Sequence, residues 1–478
     1  VAAAVVGAIA LVLYLATLPA GLTWAHHSAD GADLALAAYS LGIAHPPGYP
    51  AYVLLAHPWT LLPFGEVATR TNLFSAVCSA GVAAALAWAL VRSGRHWIAA
   101  IVGALSVAGA PLFWSQAIVT EVHALHGLFC TLILAAAVVA QAQADGPSSP
   151  GAALAAATGL LWGLSLGNSP TALFLAPLVL LVLWGRPRRI GWACAGLVTG
   201  LVVYALPPLR ARASPAASWG DPATLDGFFW LVTGSLYRRY VFALPLGDAP
   251  GRLLSAAQLL TRQFGVAGLA VAAAGVFAGA VNHGRLWAAI AVSSLLSGAF
   301  AVGYDTTDSH LYLIPGVIYC GFWLGAGMDW LLSMAAMRAR LVRSAVVIGA
   351  VSLLAVTIVC RLPEVSLRHD RGPEALRRRV LDLAPPQALV LSDRDAYTFA
   401  LWYYQRTCGL RPDTTVVDVG LLGLDWYNAR VDEDLGRPGS AALLQSSGHA
   451  DPQSAAEELG RPVCRIVGDD PLLTCAEG

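Results

Sequence analysis

Residues 21–70 read GLTWAHHSADGADLALAAYSLGIAHPPGYPAYVLLAHPWTLLPFGEVATR, too long for a tight connection and too apolar for a disordered one. From Asp33 to Ile43 the apolar residues Leu34, Ala37, Ala38 and Leu41 recur at helical spacing, and Pro46-Pro47 forbids continuation. The pattern predicts a short helix lying on a membrane surface. Tyr52 to Phe64 is apolar, interrupted by Pro58 and too short to span a bilayer, which predicts a second interfacial or re-entrant segment.

A loop of this kind belongs between membrane helices, and the rest of the chain supplies them. Of the 478 residues, 57% are hydrophobic and 12% charged, against about 25% charged in a soluble domain. Eleven apolar stretches are long enough to be candidate spans: 1–20, 72–91, 97–113, 122–141, 152–167, 170–185, 190–208, 264–281, 286–303, 310–332 and 344–360. The first has no basic leader region and exceeds signal-peptide length, so it reads as a span. All 29 basic residues are arginines, the net charge is zero, and nucleic acid is not an expected partner. Arginines follow spans two, six, eight and ten (Arg92 and Arg95; Arg186, Arg188 and Arg189; Arg285; Arg338, Arg340 and Arg343), whereas the connection after span four, around Asp145, has none. The positive-inside rule then puts the amino terminus in the cytoplasm and the tail outside. The expected architecture is an α-helical polytopic membrane domain over 1–361, with outer loops 21–70 and 209–260, and a small extracytoplasmic α/β domain over 362–478. In that tail Arg377 to Leu383 is helical in character, and Ala388–Leu391 and Thr415–Val419 are strand candidates. The run Trp402-Tyr403-Tyr404 suits a core better than a sugar platform. Cys464 and Cys475 would pair if the tail faces an oxidising compartment. Five of the other cysteines lie in apolar runs without zinc spacing, so no metal is expected.

With this topology nine of the eleven carboxylates before residue 361 fall on the outer side: Asp30, Asp33, Glu66, Glu121, Asp221, Asp226, Asp248, Asp305 and Asp308. Outer loops are the wet parts of such a protein, which accounts for some of them. Asp30 and Asp33 stand at the start of the first-loop helix beside His26 and His27, and two carboxylates in four positions exceed what one N-cap uses. One of them suits a general base at the membrane surface.

The run Asp30–Leu34, then Leu41-Gly-Ile-Ala-His45-Pro-Pro-Gly-Tyr-Pro50 and Arg70-Thr-Asn72-Leu-Phe-Ser75, resembles the first loop of the GT-C type multispanning glycosyltransferases that include the animal enzyme O-mannosylating plexin-type domains. The resemblance continues through Phe113-Trp114-Ser-Gln116, Glu121-Val-His123-Ala-Leu-His126, Leu206-Pro-Pro-Leu-Arg210, Trp219-Gly-Asp-Pro222 and Tyr237-Arg238, and in the tail through Leu401-Trp402-Tyr403 and Gly409-Leu-Arg411-Pro412-Asp413. Two places depart from the family: Asp33 stands where Glu is usual, and Asn168-Ser169 where a His is often found. The resemblance implies a plasma-membrane enzyme that moves a sugar, mannose by the family's example, from a polyprenyl phosphate to a hydroxyl of a protein or glycan acceptor, without a cofactor.

Such chemistry needs a base for the acceptor hydroxyl, cations for the departing phosphate and a groove for the lipid. Asp30 is favoured as base over Asp33, because a carboxylate at the helix start would be consumed by backbone amides and weakened. Glu121 is the second acid, to orient acceptor or sugar hydroxyls, with a helix cap as its rival role. Arg70, Arg210 and Arg238 are the candidate phosphate cations, each alternatively a headgroup snorkel, with His45 a further phosphate donor or a brace of its own turn. Trp114, His123, Trp219, Asp221 and Asp305 are candidate substrate contacts, Asp305 equally a cap. The rival readings are a transporter or flippase of lipid-linked sugars, which predicts internal repeats and midplane charges, and a structural scaffold.

Overall fold

The computed structural model describes residues 1–142, 151–185, 187–213, 215–448, 452–468 and 471–476; the expectations for Asp145 and Arg186 fall outside them. Each of the eleven apolar stretches coincides with helical structure, because a chain in hydrocarbon must satisfy its own backbone N–H and C=O groups. Among the described residues, seven helices are long and apolar enough to cross a membrane: Val67–Arg92, Val122–Ala142, Arg188–Ala211, Ala249–Ala280, Gly284–Gly303, Ser309–Met337 and Arg340–Val365. Trp97–Ala108 and Pro111–Ala117 form one further candidate bent by 69°, at Gly109-Ala110-Pro111, where proline supplies no N–H. The remaining three stretches are shorter apolar helices, Ala2–Thr17, Ala152–Leu166 and Pro170–Leu183.

Small residues allow close helix pairing. Along Ala152–Leu166 and Arg188–Leu201, Gly159 and Gly163 face Gly196 and Gly200, and a Cβ on Gly159 or Gly196 would collide with a carbonyl of the facing helix. This is the close approach that small-residue spacing permits in membranes.

The first outer loop departs from expectation. Its helix spans Gly31–Ser40 and is closed by Leu41 in the left-handed region (φ 48°). It does not lie on a membrane surface: Gly31 to Ala38 are all buried, because the tail folds over it. Leu22, Ala32, Ala35 and Ile43 share one apolar core with Leu389, Phe399, Ala400 and Tyr403. The Tyr403 hydroxyl accepts from Ala68 N (2.9 Å), and the Trp24 indole donates to the Ala396 carbonyl (3.0 Å). The second short segment is the helix Pro50–Thr60, with Pro58 inside it and Leu54, Leu55 and Leu61 exposed.

The tail contains a four-stranded sheet of order β2-β1-β3-β4, with β1 Leu389–Ser392, β2 Thr415–Asp418, β3 Val463–Val467 and β4 Leu472–Ala476. β1 runs parallel to β2 and β3, and β4 is antiparallel to β3, which sets Cys464 opposite Cys475; the two form a disulfide. The helix Asp395–Cys408 follows β1 and packs on Gly31–Ser40. Tyr403 and Tyr404 are buried, as a core role requires.

Candidate active site

The helix Gly31–Ser40 begins where the chain turns out of His26 and His27, both at positive φ. Asp30 and Asp33, three residues apart, therefore share a helix side. The HPPGYP turn folds back against them and buries His45. The Asp33 carboxylate is saturated: Oδ2 accepts from His45 N (2.9 Å) and His45 Nδ1 (2.8 Å), and Oδ1 accepts from the Trp219 indole (3.0 Å). Neither aspartate caps the helix through its side chain. The expectation that Asp33 is occupied by hydrogen bonds thus holds with different donors, a histidine and an indole brought from the HPPGYP and WGDP turns.

With Nδ1 committed to Asp33, His45 presents Nε2 to Asp30, 3.5 Å away. Burial alone would lower the histidine's pKa, but the Asp30 charge, the bond to Asp33 and the nearby Glu121 outweigh it and raise it to about 9. His45 is therefore an imidazolium between two carboxylates at neutral pH. Asp30 is the one that faces open space: its side chain is 42% exposed, against 2% for Asp33. Its surroundings raise its pKa above the ordinary value through burial and the neighbouring Asp33 and Asp308, while His45 opposes the rise. Glu121, buried and close to Asp30, is pushed well above the carboxylate range by burial first and by the Asp30 charge second.

These groups surround a cavity of about 460 Å³ between the two long loops, the tail and the adjoining ends of the membrane helices. Asp30, His45, Glu121, His123 and Arg238 line it, with Tyr49, Tyr237, Asp308 and Asp395. Its lower wall is apolar, from Leu173, Phe174, Val241, Phe242 and Phe300. The Arg238 guanidinium is exposed and donates to Ser235 Oγ (2.5 Å). Asp33 and Trp219 stand behind the cavity wall, Trp219 being buried between Phe399 and Trp426. Asp395 went unnoticed in sequence because an acid in a helix's first turn reads as a dipole partner. Its own carboxyl is raised by burial and by Asp30.

Other expected contacts are placed elsewhere. Arg70 donates to the carbonyls of Thr60 and Gly65, and Arg210 to those of Leu41 (2.7 Å) and Ser40 (3.1 Å), so both brace helix ends whose carbonyls lack an intrahelical N–H donor. Trp114 is wholly buried and donates to Thr17 Oγ1. Asp221 is exposed on its turn, and Asp305 faces Arg252 at 3.6 Å; neither lines the cavity. At the departure near 168, Asn168 donates to the Val122 carbonyl and Ser169 reaches the cavity. Among the described residues no group of three His, Cys, Asp or Glu has the geometry to hold a metal ion.

Comparison with known proteins bears on the fold and the family. Residues 30–190 match the family model of the protein O-mannosyl-transferase TMEM260 N-terminal domain, and residues 374–436 match TMEM260-associated domain 2. The mouse protein O-mannosyl-transferase TMEM260 is 29% identical over 458 residues, covering 89% of this chain. The chain spans 63% of the length of that relative. Among solved structures, ArnT from Cupriavidus metallidurans bound to undecaprenyl phosphate superimposes with a TM-score of 0.60 at 14% identity, covering 97% of this chain and 92% of that one. The oligosaccharyltransferase AglB from Archaeoglobus fulgidus, in complex with an inhibitory peptide and a dolichol-phosphate, gives 0.51 at 12% identity, covering 97% and 69%. The chain is a multi-pass membrane protein of the GT-C fold, and by sequence a relative of protein O-mannosyl-transferase TMEM260.

Proposed function

We propose that the chain is a membrane glycosyltransferase that moves mannose from a polyprenyl phosphate to a serine or threonine hydroxyl of a protein, with inversion at the anomeric carbon. The observation that carries this reading is the Asp30 carboxylate, turned into the cavity while Asp33 is held behind it by His45 and Trp219. Asp30 takes the acceptor hydroxyl's proton as the acceptor oxygen attacks the anomeric carbon. The bond from that carbon to the phosphate oxygen breaks, and the phosphate leaves with the electron pair. A single displacement inverts the centre and uses no protein nucleophile. A carboxylate with a raised pKa is the stronger base, provided it is ionised at working pH. Arg238 meets the charge of the departing phosphate, and Glu121 hydrogen-bonds a sugar or acceptor hydroxyl. The apolar wall of Phe174, Val241, Phe242 and Phe300 holds the start of the polyprenyl chain. The relatedness to TMEM260 supports mannose and a protein acceptor; ArnT and AglB, seen with polyprenyl phosphates, support the donor class. The test is transfer by purified protein from polyprenyl phosphate mannose to a folded acceptor domain, with and without EDTA. No metal is needed here, because one phosphate is neutralised by the cavity's own cations. Failure to release or transfer the sugar in any condition refutes the reading, and loss of activity in EDTA restored by Mn²⁺ or Mg²⁺ refutes metal independence.

A further inference from the structure

The cavity does not end at His123. A recess of about 10 Å³ continues from it between the helix Val122–Ala142, the Pro170–Leu183 segment and the helices Gly284–Gly303 and Ser309–Met337. The two spaces share His123, Ser169, Thr171 and Tyr312 in their walls; His126 and Ser297 belong to the recess alone. The His123 and Tyr312 rings, 6.0 Å apart and edge to face, form its throat. His126 lies three residues further along its helix, about 4.5 Å deeper. Ser169 Oγ and Thr171 Oγ1 bond to each other (2.7 Å).

His126 is 6% exposed, and among the described residues its Nδ1 has no hydrogen-bond partner, while Nε2 contacts Cys130 Sγ at 3.6 Å. A buried imidazole nitrogen without a partner is unfavourable, and polar side chains among membrane helices face a functional space rather than lipid. The recess volume corresponds to about one water-sized group, too small for a ring and large enough for one hydroxyl reaching in from a ring seated in the main cavity.

Resting on the glycosyl-transfer reading above, we infer that this recess is the sugar-reading subsite, in which His126, at the end of a throat formed by His123 and Tyr312, hydrogen-bonds one hydroxyl of the donor pyranose. Selectivity among donor sugars then comes from the membrane-embedded end of the cavity. The base and the phosphate cation, at the other end, are indifferent to the identity of that hydroxyl.

The test is a cycle of enzyme variants against donors. Wild type, His126→Phe and His126→Gln are assayed with polyprenyl phosphate mannose and with its 2-, 3-, 4- and 6-deoxy analogues, and kcat/KM is compared within each variant, so that fold or expression differences cancel. In the wild type one deoxy donor is expected to be poorer than mannose by about 10- to 100-fold, the cost of leaving a buried polar group unmatched. His126→Phe should erase that ratio, and His126→Gln, which keeps a hydrogen-bonding group, should restore part of it. If His126→Phe slows mannose and every deoxy donor by the same factor, or changes none of them, the recess holds only water or packing and the inference is overturned. If the wild type transfers no sugar from any donor, it is the glycosyltransferase reading itself that fails, a result distinct from an unchanged deoxy ratio.

Discussion

Replacing Asp30 by Asn keeps the shape of the side chain and removes its ability to accept a proton. As the base, Asp30 accounts for roughly 10²–10⁴ in rate, so turnover at saturating donor should fall by that factor while donor affinity changes little. The structure adds a second consequence. Asp30 Oδ2 lies 3.5 Å from His45 Nε2, where Coulomb's law with an effective dielectric near 20 gives about 4–5 kcal/mol. Because the Asp30 side chain is 42% exposed, solvent screening leaves about 1–2 kcal/mol of it. The Asp30 charge is the leading influence raising His45 to about 9, so Asp30→Asn should bring the imidazolium's pKa down toward neutrality. The wild-type rate should therefore show an acid limb from Asp30, whose carboxyl is raised, and a fall as pH rises through about 9 with loss of the His45 proton. The variant should lose the acid limb, and its alkaline fall should move to lower pH. Stability follows the same sign. The contribution of a raised His45 is full below about 6.5, the unfolded value, and is lost as pH rises through about 9. Turnover from polyprenyl phosphate mannose across pH 5–10, on material of matched thermal stability, checks all of this. If Asp30→Asn keeps near-normal turnover while folded Asp33→Asn is inactive, the base is Asp33; if both remain active, the mechanism is refuted.

Asp33→Asn should be far more damaging than a helix-cap substitution, costing about 3–5 kcal/mol of stability, because it strips the charge facing a buried imidazolium and presents an amide N–H to an N–H donor; a thermal melt within a few degrees of wild type would contradict this. Arg238→Ala should raise donor KM and lower kcat together, whereas Arg70→Ala and Arg210→Ala, whose side chains hold helix-end carbonyls, should lose about 1–3 kcal/mol of stability without a selective donor effect; donor titrations and melts on the three variants separate the two patterns. Reducing the Cys464–Cys475 disulfide, or Cys464→Ser, should destabilise the tail by about 2–3 kcal/mol, as expected for a loop of this length, read as a shift in the tail's chemical-denaturation midpoint. Cysteines introduced at Asp226 and Ser446, both exposed on the cavity side, should react with an impermeant reagent in intact cells while one at Gly94 is protected; the reverse pattern would invert the topology.

Much of this was legible in the sequence because membrane helices are written in composition. The eleven apolar stretches coincide with helices, since hydrocarbon leaves the backbone few alternatives, although only seven helices are long enough on their own and an eighth needs the bent pair. In the tail, only the run Trp402-Tyr403-Tyr404 of the helix Asp395–Cys408 was legible, as core, whereas β1 and β2 carried a local pattern. β3 and β4 did not, because Val463–Val467 and Leu472–Ala476 are short and are placed by pairing with distant strands. The surface helix was misplaced for a related reason. Leu34, Ala37, Ala38 and Leu41 show an apolar face, but no local pattern tells whether that face meets lipid or, as here, Tyr52, Phe74 and Val122 of neighbouring helices, nor that Ala32 and Ala35 of the same helix meet the tail.

The candidate site shows the same limit more sharply. A carboxylate's role depends on what saturates it, and the donors that occupy Asp33 come from 12 and 186 residues away. Helix position predicted that amides at the helix start would occupy Asp33, whereas its donors are His45, through backbone N and Nδ1, and the Trp219 indole; either kind of donor withdraws basicity from the carboxylate it holds. The arginines show the converse. Arg70 and Arg238 are equivalent as sequence tokens, yet one sits within reach of the carbonyls that end the helix Pro50–Thr60 and the other over an open cavity, and a guanidinium with five donors takes whichever acceptors its backbone position offers. In this chain the carbonyls left at the ends of the short loop helices compete with substrate phosphate for arginine. Arg238, whose guanidinium donates to Ser235 Oγ and to no backbone carbonyl among the described residues, lines the cavity instead.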